Sequence, residues 1–187
     1  KNIIANFSRI RYFLTIGTKG NGTTNLIAGR NTYDAGTIVS ITATPATGWK
    51  FDGWGGAISE NNAAVTINMD SNKNVTANFS RIRYTLDINA RGNGTTNIAA
   101  GGHIYDAETI INVTATPAAG WKFDGWSGDI TENIRTVTIN MDTNKNVTAN
   151  FSRITYTLSL NIRGGGNTNP KAGFQTYDEG TMVNIIA

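Results

Sequence analysis

Four tryptophans in two pairs, Trp49 with Trp54 and Trp121 with Trp126, are the residues whose type and spacing most invite chemistry. Paired indoles on a β scaffold stack on sugar rings, and a neighbouring carboxylate accepts hydrogen bonds from hydroxyls. Trp54, Trp126, Asp52 and Asp124 are therefore the candidate ligand-binding residues. Core packing competes for the same rings. Trp49 and Phe51 share the parity of one strand face, and a small module needs large apolar side chains inside. Trp54, beyond the Asp52-Gly53 turn, is expected to be the more exposed member of its pair.

Other chemistries fall away residue by residue. Asp70-Ser71-Asn72-Lys73-Asn74 and Asp142-Thr143-Asn144-Lys145-Asn146 match the opening D-x-N-x-N of a calcium loop, whose alternate oxygens converge on a hard cation. The rest of that motif fails: its glycine is Val75 or Val147, its closing glutamate is Arg81 or Arg153, and a lysine sits inside the loop. Both segments read as hairpin turns. Asp124, Asp129 and Glu132 would make a weak calcium site, but Ala57 stands at the place corresponding to Asp129 upstream, so no metal residue is assigned. Glu60 and Glu132 recur without a partner carboxylate across a cleft, which general acid–base catalysis requires. An isopeptide bond from Lys50 or Lys122 to an asparagine would lose one ammonia and be visible in the intact mass. His103 is a single histidine in a variable loop, and there is no cysteine, which removes disulfides, thiolate metal sites and a thiol nucleophile. No catalytic residue and no cofactor is assigned. Eight Asn-x-Ser/Thr sequons, at Asn6, Asn21, Asn74, Asn78, Asn93, Asn112, Asn146 and Asn150, follow from a composition rich in both residue types.

The composition points to strands. Threonine (27) and asparagine (24) outnumber the helix-favouring residues, and threonine suits a pleated, half-exposed surface. Sixteen Lys and Arg against thirteen Asp and Glu leave a formal charge of +3, scattered singly, which is far from a nucleic-acid footprint. No run of about 18 apolar residues could cross a bilayer as a helix. Arg9, Arg81 and Arg153, with Arg11 and Arg83, form mildly basic clusters. They read as solvated strand-edge charges that discourage edge pairing, with acidic wall polymers as the alternative partner.

The elements repeat. Phe7, Phe79 and Phe151, and Tyr33, Tyr105 and Tyr177, recur every 72 residues, and residues 12–83 and 84–155 share 49 identities in 72 positions. That degree of identity assigns 12–83 and 84–155 as two complete β repeats, 1–11 as the tail of a preceding one and 156–187 as the head of a following one. The chain reads as a window onto a longer array. Within a repeat, apolar residues alternate at Tyr12/Leu14/Ile16, Val39/Ile41/Ala43, Trp49/Phe51, Val65/Ile67/Met69 and Val75/Ala77/Phe79, predicting five or six short strands. Gly20-Asn21-Gly22 supplies positive-φ residues for a tight hairpin, Asp34-Ala35-Gly36 closes a turn, and Pro45 to Gly48 separates two strands. The fold class is all-β, a tandem array of small sandwich-like modules.

At Ser80 and Arg81 the inward parity switches from odd (Val75, Ala77, Phe79) to even (Ile82, Tyr84, Leu86, Ile88). Either a bulge flips the side chains or the strand leaves one core for the next. A joint so short, without Gly or Pro, predicts a stiff rod. A 70-residue module without disulfides is marginal alone and gains from its neighbours, so the partial repeats at either end are expected to be the least stable.

The string Gly120-Trp121-Lys122-Phe123-Asp124-Gly125-Trp126-Ser127-Gly128-Asp129, with Tyr105-Asp106, Val113-Thr114-Ala115-Thr116-Pro117 and Asn144-Lys145-Asn146-Val147-Thr148-Ala149-Asn150-Phe151 in order around it, resembles the divergent internalin-B-type B-repeat family of bacterial extracellular proteins. The resemblance covers essentially the whole chain. It implies tandem β modules of large secreted or cell-surface, wall-attached proteins, acting as stalk, spacer or fibre-forming segment, with adhesion or glycan binding through exposed tryptophans as the alternative. The implied partners are neighbouring repeats of the same chain, other copies in a fibre, and a cell-surface glycan or host protein. It offers no catalytic residues to carry over, and near-identical successive repeats argue against an enzyme. Two positions depart from the pattern: Glu108 replaces Gly36 and Gly180, which questions a positive-φ turn there, and Arg163-Gly164-Gly165-Gly166 replaces the Gly-Asn-Gly turn.

Overall fold

Alternating apolar residues bounded by turn formers give strands throughout: the computed structural model, which describes all 187 residues, contains sixteen strands and no helix. The first repeat holds seven, β1 (Arg11–Lys19), β2 (Gly22–Thr24), β3 (Gly29–Asp34), β4 (Ile38–Pro45), β5 (Trp49–Gly56), β6 (Ala64–Asn68) and β7 (Lys73–Arg81). The second repeats them as β8 (Arg83–Arg91), β9 (Gly94–Thr96), β10 (Gly101–Asp106), β11 (Ile110–Pro117), β12 (Trp121–Gly128), β13 (Thr136–Asn140) and β14 (Lys145–Arg153). Two more, β15 (Thr155–Leu160) and β16 (Gly173–Asp178), follow. The array is all-β, as the alternation predicts. The strand number per repeat is higher than expected because β2 has only three residues and β3 carries a single apolar side chain, Tyr33, so neither shows a period.

Each complete repeat is two facing sheets. The odd strands form one, in the order β3-β1-β7-β5, and the even strands the other, β2-β4-β6; the second repeat gives β10-β8-β14-β12 and β13-β11-β9. Within a complete repeat, consecutive strands therefore never pair with one another. The expected hairpins at Gly20-Asn21-Gly22 and at Asp70 to Asn74 are corrected to crossovers between sheets. Gly20 does take a positive φ (87°) in the first of these links, but turn chemistry sets local direction and not which sheet the next strand joins. Sending every link across the roughly 10 Å between layers buries the apolar face of each strand against the previous one.

The first and last strands of the repeat lie side by side and parallel, from Leu14↔Lys73 to Lys19↔Asn78, with the same register between β8 and β14. A parallel pair needs a long crossover, and here the rest of the repeat is that crossover. Leu14 and Ile16 of β1 meet Val75, Ala77 and Phe79 of β7 beneath Val39, Ile41 and Ala43 of β4, with Ile67 and Met69 closing the interior. Leu86, Ile88, Val113, Ala115, Val147 and Phe151 do the same in the second repeat.

By contact density the chain divides into two units, Lys1–Arg83 with Asp106–Glu108, and Tyr84–Tyr105 with Thr109–Ala187. The parity switch is resolved by core membership. Val75, Ala77 and Phe79 belong to the first core and Leu86 and Ile88 to the second, so the chain leaves one interior for the next across the single residue Ile82, without a bulge.

Glu108 keeps the turn that the glycines make. Its φ is 67°, beside 81° at Gly36 and 80° at Gly180. A side chain in this left-handed region costs about 1–2 kcal/mol relative to glycine. Glu108→Gly should therefore stabilise the chain by about 1 kcal/mol, read as a raised midpoint in urea or thermal unfolding; an unchanged or lowered midpoint would show that the Glu108 side chain compensates.

Candidate functional site

The Trp-Lys-Phe-Asp-Gly-Trp segment forms β5 and β12, edge strands of the four-stranded sheets, and each carries a β-bulge. Phe51 pairs with Phe79 and Gly53 with Asn78, leaving Asp52 as the extra residue; Phe123, Asp124 and Gly125 repeat this against Phe151 and Asn150. Gly53 sits at φ 137°, and a Cβ on it would lie 2.9 Å from Asn61 Oδ1 and 3.2 Å from Glu60 O, so backbone angle and space both demand glycine.

The bulge overturns the expected exposure of Trp54 and Trp126. One inserted residue flips the parity of everything after it, so Trp54 points inward like Phe51 although the two are an odd number apart. Trp54 and Trp126 are each only 4% exposed. Their indole Nε1–H groups donate to Asn62 O (3.1 Å) and Ile134 O (3.0 Å), and their backbone N–H groups to Glu60 O and Glu132 O (both 2.7 Å). Phe51 meets Trp54 and Phe79 edge-on, with centroids 5.7 Å away in both cases. These rings fill the core and offer no free face to a sugar.

Trp49 and Trp121 are half-buried, and each is already stacked. The Arg81 guanidinium lies 5.0 Å from the Trp49 ring centre and that of Arg153 5.2 Å from Trp121, a favourable cation–π arrangement. The same arginines reach an aspartate: Arg81 Nε is 3.9 Å from Asp106, and Arg153 Nη1 is 3.0 Å from Asp178. Arg83 adds a 3.1 Å contact to Asp106, and Arg9 and Arg11 hold Asp34 at 2.5 and 3.1 Å. The basic clusters read as solvated edge charges are thus partnered by the aspartate of each Tyr-Asp pair. The backbone of the residue between them is fixed too, as Ile82 N–H donates to Gly48 O (3.0 Å) and Ala107 N–H to Ile82 O (2.8 Å).

Asp52 and Asp124 lie at the surface, spent on neighbours. Asp52 accepts from Lys50 Nζ (2.7 Å) and Ser80 Oγ (2.9 Å), and Asp124 from Lys122 Nζ (2.5 Å) and Ser152 Oγ (2.9 Å). The lysine hydrogen bond, then the serine one, holds each carboxyl below the usual carboxylate range against a small opposing desolvation. Lys50 and Lys122 therefore face carboxylates, and the isopeptide idea finds no support in these contacts. In the D-x-N-x-N segments Lys73 and Lys145 occupy the cation's place, 2.8 and 2.6 Å from Asp70 and Asp142, while Asn72 and Asn144 accept backbone N–H bonds from Phe13 (2.8 Å) and Thr85 (2.9 Å). Asp129 accepts from Asn146 N–H at 2.6 Å, and no three metal-ligating side chains gather anywhere in the chain.

Sequence reasoning missed the use made of Asn78 and Asn150, which it counted only as sequons. Each is half-buried, and its side-chain amide donates across the bulge, to Gly53 O (3.2 Å) and Gly125 O (3.1 Å). An isolated glycine inside a strand pattern, opposite an asparagine, is the signal that would have found the bulge. A surface hollow of about 490 Å³, lined by Asp129, Glu132, Ile134 and Thr136 among others, is an open groove on the second repeat.

A two-sheet module, repeated with the same bulge, core and ion pairs, defines a repeat-domain protein. The family model described as the divergent InlB B-repeat domain matches residues 12–83 and again 84–155, and the chain belongs to that family. No curated protein and no solved structure matches it.

Burial of Trp54 predicts that Trp54→Ala costs about 3–5 kcal/mol, as large-to-small changes in a closed core do. Unfolding of the first repeat at a lower denaturant concentration checks this, and an unchanged midpoint would return the ring to the surface. The lowered pKa values of Asp34, Asp52, Asp70, Asp124 and Asp142 set a pH dependence. A depressed folded-state pKa stabilises fully above the unfolded value of about 3.9, and that stabilisation disappears as pH falls from there through the folded value. Stability should thus decline below about pH 4, and less steeply in Asp52→Asn with Asp124→Asn; denaturant titrations from pH 7 to pH 2 give the slope, and an identical slope in both proteins would discount these pairs.

Proposed function

We propose that the chain is a non-catalytic structural segment, a stalk or spacer in a larger bacterial-type surface or secreted protein. The observation that carries this reading is where the recurring side chains are spent. Trp54, Phe79, Asp52, Asn78, Arg81 and their counterparts 72 residues on bind other parts of the same fold. A recognition or catalytic motif is repeated because its side chains face a ligand; here the repeated motif faces inward and toward the joint. The family membership supports a surface or secreted setting, since the resemblance implies large extracellular proteins.

Adding identical spacers has a simple signature. Small-angle scattering from proteins of two, three and four complete repeats should show a maximum dimension that grows by a constant increment per repeat. Dimensions growing only as a compact globule's would, or glycan binding lost in an Asp52→Ala/Asp124→Ala protein that remains folded, would overturn the spacer reading.

A further inference from the structure

The crossover from β1 to β2 needs glycine on both sides of Asn21, and each glycine has a physical reason. Gly20 takes a positive φ of 87°, and a Cβ on Gly22 would meet carbon atoms of the Phe79 ring at 2.5 Å. Gly92 and Gly94 repeat this against Phe151 in the second module. Asn21 and Asn93, between these glycines, have no such duty. Both are exposed, and neither carboxamide makes a hydrogen bond within the chain.

The amide of the next residue is unused as well. Ala46 N–H donates to Asn21 O (3.2 Å) and Asn25 N–H to Thr42 O (3.0 Å). Since Thr23 stands opposite Thr44, the bonded positions of this antiparallel ladder are Asn21, Thr23 and Asn25. Gly22 falls between them, opposite Pro45, and its N–H points away from β4. Gly94, opposite Pro117, is set the same way by the bonds Ala118 N–H to Asn93 O and Asn97 N–H to Thr114 O, both 3.1 Å. An untethered carboxamide thus precedes an untethered amide nitrogen in both complete repeats.

We propose that Asn21-Gly22 and Asn93-Gly94 are self-modifying sites, at which the folded chain deamidates without an enzyme and with water as the only co-reactant. Asparagine is among the heat-labile residues, and glycine after it leaves the attacking nitrogen unshielded. Asn21 and Asn93 are the only asparagines in the chain followed by glycine. The Gly22 nitrogen, having lost its proton to base, attacks Asn21 Cγ. The N–Cγ bond forms, the Cγ–Nδ2 bond breaks and ammonia leaves, giving a five-membered succinimide. Water then opens the imide. Cleavage of the N–Cγ bond leaves aspartate, and cleavage at the α-carbonyl leaves isoaspartate, whose main chain runs through Cβ and Cγ. Either product carries a new carboxylate, so conversion of both sites takes the formal charge from +3 to +1.

The fold separates these sites from their nearest chemical relatives. Asp52-Gly53 and Asp124-Gly125 would close the same ring, but their carboxylates accept bonds from Lys50 and Ser80 and from Lys122 and Ser152. A carboxylate held ionised in this way is a poor electrophile. Isoaspartate at position 21 or 93 adds one main-chain atom to a link that has no slack, since Gly22 and Gly94 already press on the Phe79 and Phe151 rings. It also moves off the main chain the carbonyl that receives Ala46 N–H or Ala118 N–H. Each complete repeat therefore carries a slow, irreversible clock that loosens the seat of its core phenylalanine. The inference is independent of the spacer reading, which a chain that kept both amides would leave intact.

The test holds the whole chain, folded, in warm and mildly alkaline buffer beside a free Gly-Asn-Gly-Thr peptide. Samples are digested and mapped by mass, and isoaspartate is identified by enzymatic methylation of its carboxylate. The expected result is a gain of one mass unit at Asn21 and Asn93 ahead of every other asparagine, faster at higher pH, with isoaspartate as the larger product. The aged chain should unfold at a lower denaturant concentration than the fresh one. Asn21→Gly with Asn93→Gly, which copies Gly165 at the corresponding place, should keep its midpoint over the same interval. The mapping uses the parent chain alone, so it decides the matter even where the double variant fails to fold. Earlier conversion at other asparagines, intact amides at both sites once the free peptide has converted, or conversion only after urea unfolds the chain would each overturn the proposal. An aged chain with an unchanged midpoint would overturn the loosening of the phenylalanine seat.

Discussion

The parallel ladder between the first and last strands of the repeat is the constraint from which the module follows. It places β1 and β7 at the centre of the four-stranded sheet, so their inward side chains see the interior and their neighbours β3 and β5 become edges. Because the pair is parallel, everything between them is one long return path. That path is filled by strands that alternate between two layers, and the alternation lets links of a few residues suffice. Phe79 then reaches the glycine turn after β1, and Phe51 packs edge-on against both Phe79 and Trp54. Remove the ladder and none of these contacts has a frame.

The bulge at Asp52 is the second organising feature, and it shows how one residue changes the meaning of a motif. Without it, Trp-Lys-Phe-Asp-Gly-Trp is a strand with two tryptophans on opposite faces, which invites a binding platform. With it, the second tryptophan turns inward, the aspartate is left outside to meet Lys50 and Ser80, and Asn78 secures the freed carbonyl of Gly53. The tryptophan left nearer the surface, Trp49, is covered by Arg81, which is also drawn toward Asp106. The segment that looks most like a site is thus the part of the module most concerned with its own cohesion.

Much of this was legible in the residues, for physical reasons that differ from place to place. Period-two burial fixed β1, β4, β6 and β7, because a strand with one wet and one dry face must alternate. The 72-residue period and the family motifs gave the repeat and the parity change at Ser80 and Arg81 marked the joint. Pairing was not legible. Nothing in Tyr12 to Ile16 says that its partner is Val75 to Phe79 and not the next strand along, since turn residues such as Gly20 and Gly22 bend the chain identically for a hairpin and for a crossover. β3 was hidden because its cross-strand bonds to β1 are backbone contacts that leave no hydrophobic trace. Trp54 was misplaced because parity counting assumes an unbroken ladder.

The parallel arrangement also decides how a single repeat would carry tension. The start of β1 and the end of β7 emerge at opposite ends of the same ladder, so a pull on the two ends of one repeat runs along both strands. The hydrogen bonds from Leu14 to Lys19 are then loaded together, in shear, instead of opening one after another like a zip. Bonds that must yield at once resist far more force than bonds that yield in turn. A cell-surface protein built from such units would have its weakest covalently continuous element stiffened by geometry alone, without a disulfide or a metal.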